Sequence, residues 1–278
     1  MREKLNKIIN LSKTKTAKNT YLVFIGNSLA GLIGMVLMII LSRILGPAEF
    51  GVFSVSFAIL ALLSRFGDLG LNFAMIKEIS QSRVKGGKER SQRIFQTVFW
   101  SEAVICFVLF LLGYFGLNMF FTSVFPPYLC FLLSHYVRMF FFLLVFYNIV
   151  RVYYEANKRF LESSLMYIIA NFFKLVSLII AYFLWPNFKN YIFFYILVPF
   201  LIALIFFFRA KLKIKMCFYK KEFKDLLKFS SWMGVAVVFG SLGENLNIFM
   251  VSSKLSDFDT GIYSAAEKFI LPFTILAG

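Results

Sequence analysis

Eight apolar stretches of spanning length, separated by short polar loops, constrain this chain more than any other feature. They run roughly over Tyr21–Leu41, Val52–Met75, Ile94–Leu117, Pro127–Val150, Ser163–Leu184, Tyr191–Phe208, Phe229–Val251 and Gly261–Gly278. A helix of ~20 residues, rising ~1.5 Å per residue, crosses ~30 Å of hydrocarbon. The stretches are continuous instead of alternating, so helices are expected and not a barrel. Of the 278 residues, 60% are hydrophobic, against about 45–50% in soluble domains. The expected fold class is therefore all-α, a polytopic membrane protein.

The formal net charge of +16 is gathered in the loops. Six basic residues face two acidic ones over 77–93, and eight face two over 209–228. The loops at 118–126 and 185–190 hold Lys189 as their one charge. This is the cytoplasmic-loop bias of membrane proteins, not a nucleic-acid surface, and it places the N-terminus in the cytoplasm. Residues 1–20 form a basic segment in which Leu5, Ile8 and Ile9 share one helical face, as in a helix lying on the inner surface. Cys106, Cys130 and Cys217 show no CxxC spacing, and His135 is the single histidine. No disulfide framework, metal site or cofactor is expected. Nor is there a nucleophile–base pair or a phosphate-cradling loop, so the chain does not read as an enzyme.

The stretch Leu45–Leu71 is the most informative. It opens with the turn Gly46-Pro47, where proline cannot continue a preceding helix. It ends in Arg65, Gly67, Asp68 and Gly70, which no simple lipid-facing helix needs. Its start recurs about two hundred residues later. Leu45, Gly51 and Ser54 match Leu255, Gly261 and Ser264, and Glu49 matches Asp259. Both copies begin on the same face by the charge count, which is the mark of a parallel repeat. The expected organisation is a six-helix lobe at 21–208, a basic cytoplasmic linker at 209–228, and at 229–278 the first two helices of a second lobe. On that reading the sequence is the N-terminal part of a protein of twelve or more helices.

The segments SRILGPAEFGVFSVSFAIL (Ser42–Leu60), FGDLGL (Phe66–Leu71) and DTGIYSAAEKF (Asp259–Phe269) resemble the polysaccharide or O-antigen flippases. These belong to the multidrug/oligosaccharidyl-lipid/polysaccharide exporter superfamily. The resemblance implies two six-helix bundles around a central cavity in the bacterial inner membrane. It implies a substrate, an undecaprenyl-pyrophosphate-linked sugar unit moved between leaflets by alternating access. It also implies membrane lipids, the polysaccharide polymerase and the chain-length machinery as partners. A multidrug or cation antiporter and a peptidoglycan-precursor flippase of the same superfamily remain open. A membrane glycosyltransferase would carry a large outer loop, and the outer loops here are short.

Ionisable residues at membrane depth are functional candidates by default. Arg65, Arg138 and Lys174 are candidates for attracting a pyrophosphate headgroup, Arg as a planar fork and Lys as a point charge. The bland alternative is that Arg65 and Asp68 neutralise each other, and that Glu102 and Glu244 pair with Lys174 or Arg138. His135, Glu244 with Asn245 and Asn247, and the pair Glu267 and Lys268 are further coupling or charge-partner candidates. Gly26, Gly31 and Gly34 allow close packing of helices. The Tyr and Phe stripes of the fourth to sixth stretches are expected to face lipid.

Overall fold

The computed structural model of the chain describes residues 15–85, 87–115, 138–215 and 219–277. Among them the fold is all-helical. We number the helices α1 (Lys15–Asp68), α2 (Leu71–Lys85), α3 (Gly87–Phe115), α4 (Arg138–Ala156), α5 (Phe160–Leu184), α6 (Phe188–Arg209), α7 (Lys220–Lys254) and α8 (Asp257–Ala277). Five segments are long and apolar enough to cross a membrane: Val23–Asp68, Glu89–Leu111, Phe160–Leu184, Phe188–Arg209 and Lys220–Lys254. The protein is a multi-pass membrane protein.

The expected Gly46-Pro47 turn is a kink inside α1. Gly46 has φ 72° and ψ 170°, a backbone state that glycine reaches without the Cβ penalty. Pro47 follows at the start of the second arm, where its missing N–H costs nothing. The expected single helix over Val52–Met75 is broken. Helix α1 ends at Asp68, Leu69 and Gly70 take φ 44° and 76°, and α2 starts afresh at Leu71. Asp68 caps the new helix, its Oδ1 accepting from the Asn72 amide at 2.8 Å.

Two glycine crossings hold the second arm of α1 against α7 and α8. A Cβ on Gly51 would fall 2.9 Å from the Gly261 nitrogen, and a Cβ on Gly261 would fall 3.1 Å from the Gly51 nitrogen. Each would also run into a carbonyl, of Asp257 and Pro47 respectively. The glycines that match in the repeated sequence thus face each other reciprocally. At the other end, a Cβ on Gly70 would lie 2.7 Å from the Gly234 nitrogen. The two crossings sit about 28 Å apart along the arm at ~1.5 Å per residue, close to the thickness of the hydrocarbon. Helix α5 packs on the first arm. There Gly26 leaves room for Ser164, and buried Asn171 donates from Nδ2 to the Ala30 carbonyl at 3.1 Å.

The aromatic stripes do not all face lipid as expected. Phe146, Tyr147, Tyr154, Phe206 and Phe207 are buried, while Phe172, Phe173, Phe183 and Phe208 are exposed. Phe95 meets the Tyr153 ring edge-on at 5.2 Å between centroids and the Phe207 ring at a tilt at 6.3 Å. The Tyr154 hydroxyl donates to the Phe206 carbonyl at 2.7 Å. Tyr154 is tolerated inside because its one polar atom finds a partner.

Candidate functional site

A cavity of about 130 Å³ opens between the end of α1 and helices α2, α3 and α4. It has room for a few waters at ~30 Å³ each. Arg65 and Asp68 enter from α1, Asn72 from α2, Glu102 from α3, and Asn148, Arg151 and Glu155 from α4. Two arginines therefore share one small space with three carboxylates. Asp68 is held by its cap to Asn72. Arg151 Nη1 lies 3.2 Å from Glu155 Oε1, and the same oxygen accepts from Ser163 Oγ at 2.8 Å.

Glu102 is the exception. It is 0% exposed, and among the described residues neither carboxylate oxygen has a hydrogen-bond partner. An unpaired buried charge costs several kcal/mol, roughly, even after relaxation. The apolar neighbours of α3 fix its position, since Val98, Phe95 and Cys106 on the same helix are all buried.

The sequence candidates separate in space. Arg65, Asp68 and Glu102 meet in the cavity. Arg65 is exposed and forms no direct ion pair with Asp68 among the described residues, although its charge acts on the Asp68 carboxylate. Lys174 lies elsewhere, half-buried on α5, with Nζ 4.3 Å from the centroid of the Tyr195 ring on α6. The alternative pairing of Glu102 with Lys174 is not seen: Lys174 sits on an aromatic face, and Glu102 has no hydrogen-bond partner among the described residues. Arg138 opens α4, but its side chain lies outside the described residues, as does His135. Glu244 is exposed on α7, and the Asn245 amide turns back to the Ser241 carbonyl at 2.9 Å. Glu267 and Lys268 lie beside each other on α8 with 3.5 Å between Oε2 and Nζ. No cluster of three or more metal-ligating side chains occurs among the described residues.

The sequence reading missed Asn148, Arg151 and Glu155. The fourth apolar stretch ends at Val150, which leaves Arg151 and Glu155 outside it. The helix runs on to Ala156, so both lie on its last turns. A signal was available. Asn148, Arg151 and Glu155 are spaced i, i+3, i+7, the period of one helical face, and so are Arg65, Asp68 and Asn72.

Residues 16–276 match the model of a family described as polysaccharide biosynthesis protein. The chain belongs to that family. No curated protein matches it in sequence. Its fold is that of the MOP-superfamily transporters. An outward-facing multidrug resistance MATE family transporter is similar at a TM-score of 0.70 and 15% identity, over 94% of this chain and 61% of that one. The inward-facing form of such a transporter is similar at 0.63 and 14%, over 92% and 60%. A MOP superfamily transporter from Pyrococcus furiosus, whose description reports reversed polarity of its binding pocket, is similar at 0.61 and 14%, over 92% and 62%. This family member thus spans about three-fifths of the length of the transporters it resembles.

Proposed function

We propose that this polysaccharide biosynthesis protein acts in moving undecaprenyl-pyrophosphate-linked oligosaccharides across the bacterial inner membrane, by alternating access. On this reading residues 21–208 form the first lobe, 209–228 the cytoplasmic linker and 229–278 the start of the second lobe, with the N-terminus in the cytoplasm. The lipid tail stays in the bilayer while the polar head crosses between the lobes. The polymerase and chain-length machinery of surface polysaccharide synthesis are the proposed partners.

The observation that carries the reading is a charged, water-sized cavity inside the helical bundle of a polysaccharide-family chain. Arg65 at its mouth, with Arg138 and Lys174, supplies the cations for a pyrophosphate. Charge-assisted hydrogen bonds of this kind contribute about 1.5–3 kcal/mol each. Glu102 and Asp68 supply the sites for a coupling proton or cation. The excess of carboxylates over arginines in the cavity also favours a second reading, a cation-coupled antiporter of small molecules.

Complementation separates the two. A strain lacking its flippase, given this protein with Arg65→Ala or Lys174→Ala, should lose most surface polysaccharide while the protein still inserts. Normal export from both single variants and from the double variant would overturn the assignment. Ion-driven dye efflux without any effect on polysaccharide would support the antiporter.

A further inference from the structure

After α6 the chain runs Lys211-Leu-Lys-Ile-Lys215, alternating basic and apolar residues. Lys211 takes φ 53° and reverses the chain, and 212–215 has no regular secondary structure. Three side chains of α3 donate to alternate carbonyls of this strap. Gln92 Nε2 donates to Lys211 O at 3.4 Å, Gln96 Nε2 to Lys213 O at 2.6 Å and Trp100 Nε1 to Lys215 O at 2.9 Å. The spacings agree. Eight residues of helix rise ~12 Å, and four residues of extended chain span ~13 Å. The strap therefore climbs along α3, with Leu212 buried and Lys211, Lys213 and Lys215 exposed.

Three basic residues nearby, Arg90, Arg93 and Lys77, are engaged. Arg90 lies 3.4 Å from Glu78 and 3.9 Å from Asp225, and Arg93 lies 3.7 Å from Glu89. Lys77 sits over the Phe229 ring at 4.2 Å. Among the described residues, Lys211, Lys213 and Lys215 form no ion pair. Alternation in an extended chain sends alternate side chains to one side, so Lys213 and Lys215 share a side and, with Lys211 in the preceding turn, make a short basic row. The row ends at Trp100, whose indole is of the kind that settles at the level of lipid headgroups.

We infer that the strap is a binding surface for anionic phospholipid headgroups, held in register by Gln92, Gln96 and Trp100. An unpaired lysine row at headgroup depth complements phosphate, and each lysine near an anionic membrane favours binding by about fivefold. The hydrogen-bond ladder keeps the row extended, where an untied basic loop would spread its charge. This surface is separate from the cavity and does not depend on what the protein transports.

The test is native mass spectrometry of the full chain released from mixed micelles holding equal amounts of phosphatidylglycerol and phosphatidylcholine. The wild-type chain should retain phosphatidylglycerol preferentially. The variant K211Q/K213Q/K215Q should lose that preference by about tenfold or more, while K220Q/K221Q/K224Q, with the same change in charge, should keep most of it. Gln96→Ala with Trp100→Phe keeps every charge and should still weaken the preference. Equal retention of both lipids by the wild type, or equal losses in the two lysine variants, would overturn the inference. So would full preference in the ladder variant. Displacement of the lipid by inorganic phosphate, at an ionic strength matched with chloride, would assign the row to free phosphate and overturn the lipid assignment.

Discussion

Glu102 and Lys174 are both ionisable groups within spanning helices, and the structure treats them in opposite ways. Lys174 rests against the Tyr195 ring, itself wedged edge-on against Phe53 and Phe57 at 5.5 and 4.4 Å. Its charge has a partner that needs no counter-ion, since the ring face is electron-rich. Glu102 lines a cavity and has no hydrogen-bond partner among the described residues. A charge that is stabilised where it stands can wait for a substrate. A buried carboxyl without such a partner relieves its cost by taking up a proton or a cation. On the function proposed above, Lys174 is assigned to headgroup attraction and Glu102 to coupling.

That contrast can be broken by substitution. Glu102→Gln keeps the shape and removes the charge. It should lower ion-driven transport the most, by about 5–150-fold, the span of ordinary coupling energies, with no loss in thermal stability. A drop in melting temperature with unchanged transport would make Glu102 structural. Lys174→Met keeps the packing and should lower substrate uptake by about tenfold, leaving ion dependence unchanged. Tyr195→Leu removes the ring alone, which supports Lys174 by about 0.5–1 kcal/mol, so uptake should fall only about twofold to fivefold. The smallest effect belongs to Glu155→Gln. It breaks an i,i+4 pair with Arg151 at the cavity's edge, and thermal unfolding should register about 0.5 kcal/mol.

How the sequence conveyed these two residues follows from its physics. Hydropathy marks a helix by what is removed from water, so most of the helical stretches were legible, and the internal repeat matched Gly51 with Gly261 although not their packing against each other. Hydropathy is blind to where a helix ends once its last turns become polar. Arg151 and Glu155 were therefore assigned to a loop and the fourth wall of the cavity was missed. It is equally blind to the break at Leu69-Gly70. That break depends on Gly234 approaching from a distant helix, a contact no local pattern encodes. Nor can it distinguish a phenylalanine in the core, such as Phe207, from one facing lipid, such as Phe208, when both lie in one apolar run.

The most direct test of the account is transbilayer movement of a fluorescent undecaprenyl-pyrophosphate-linked sugar in proteoliposomes holding this protein. The account predicts movement by the wild type, a slower rate with Lys174→Met at any ion gradient, and loss of gradient dependence with Glu102→Gln. Equal rates in protein-free liposomes, wild type and both variants would contradict it.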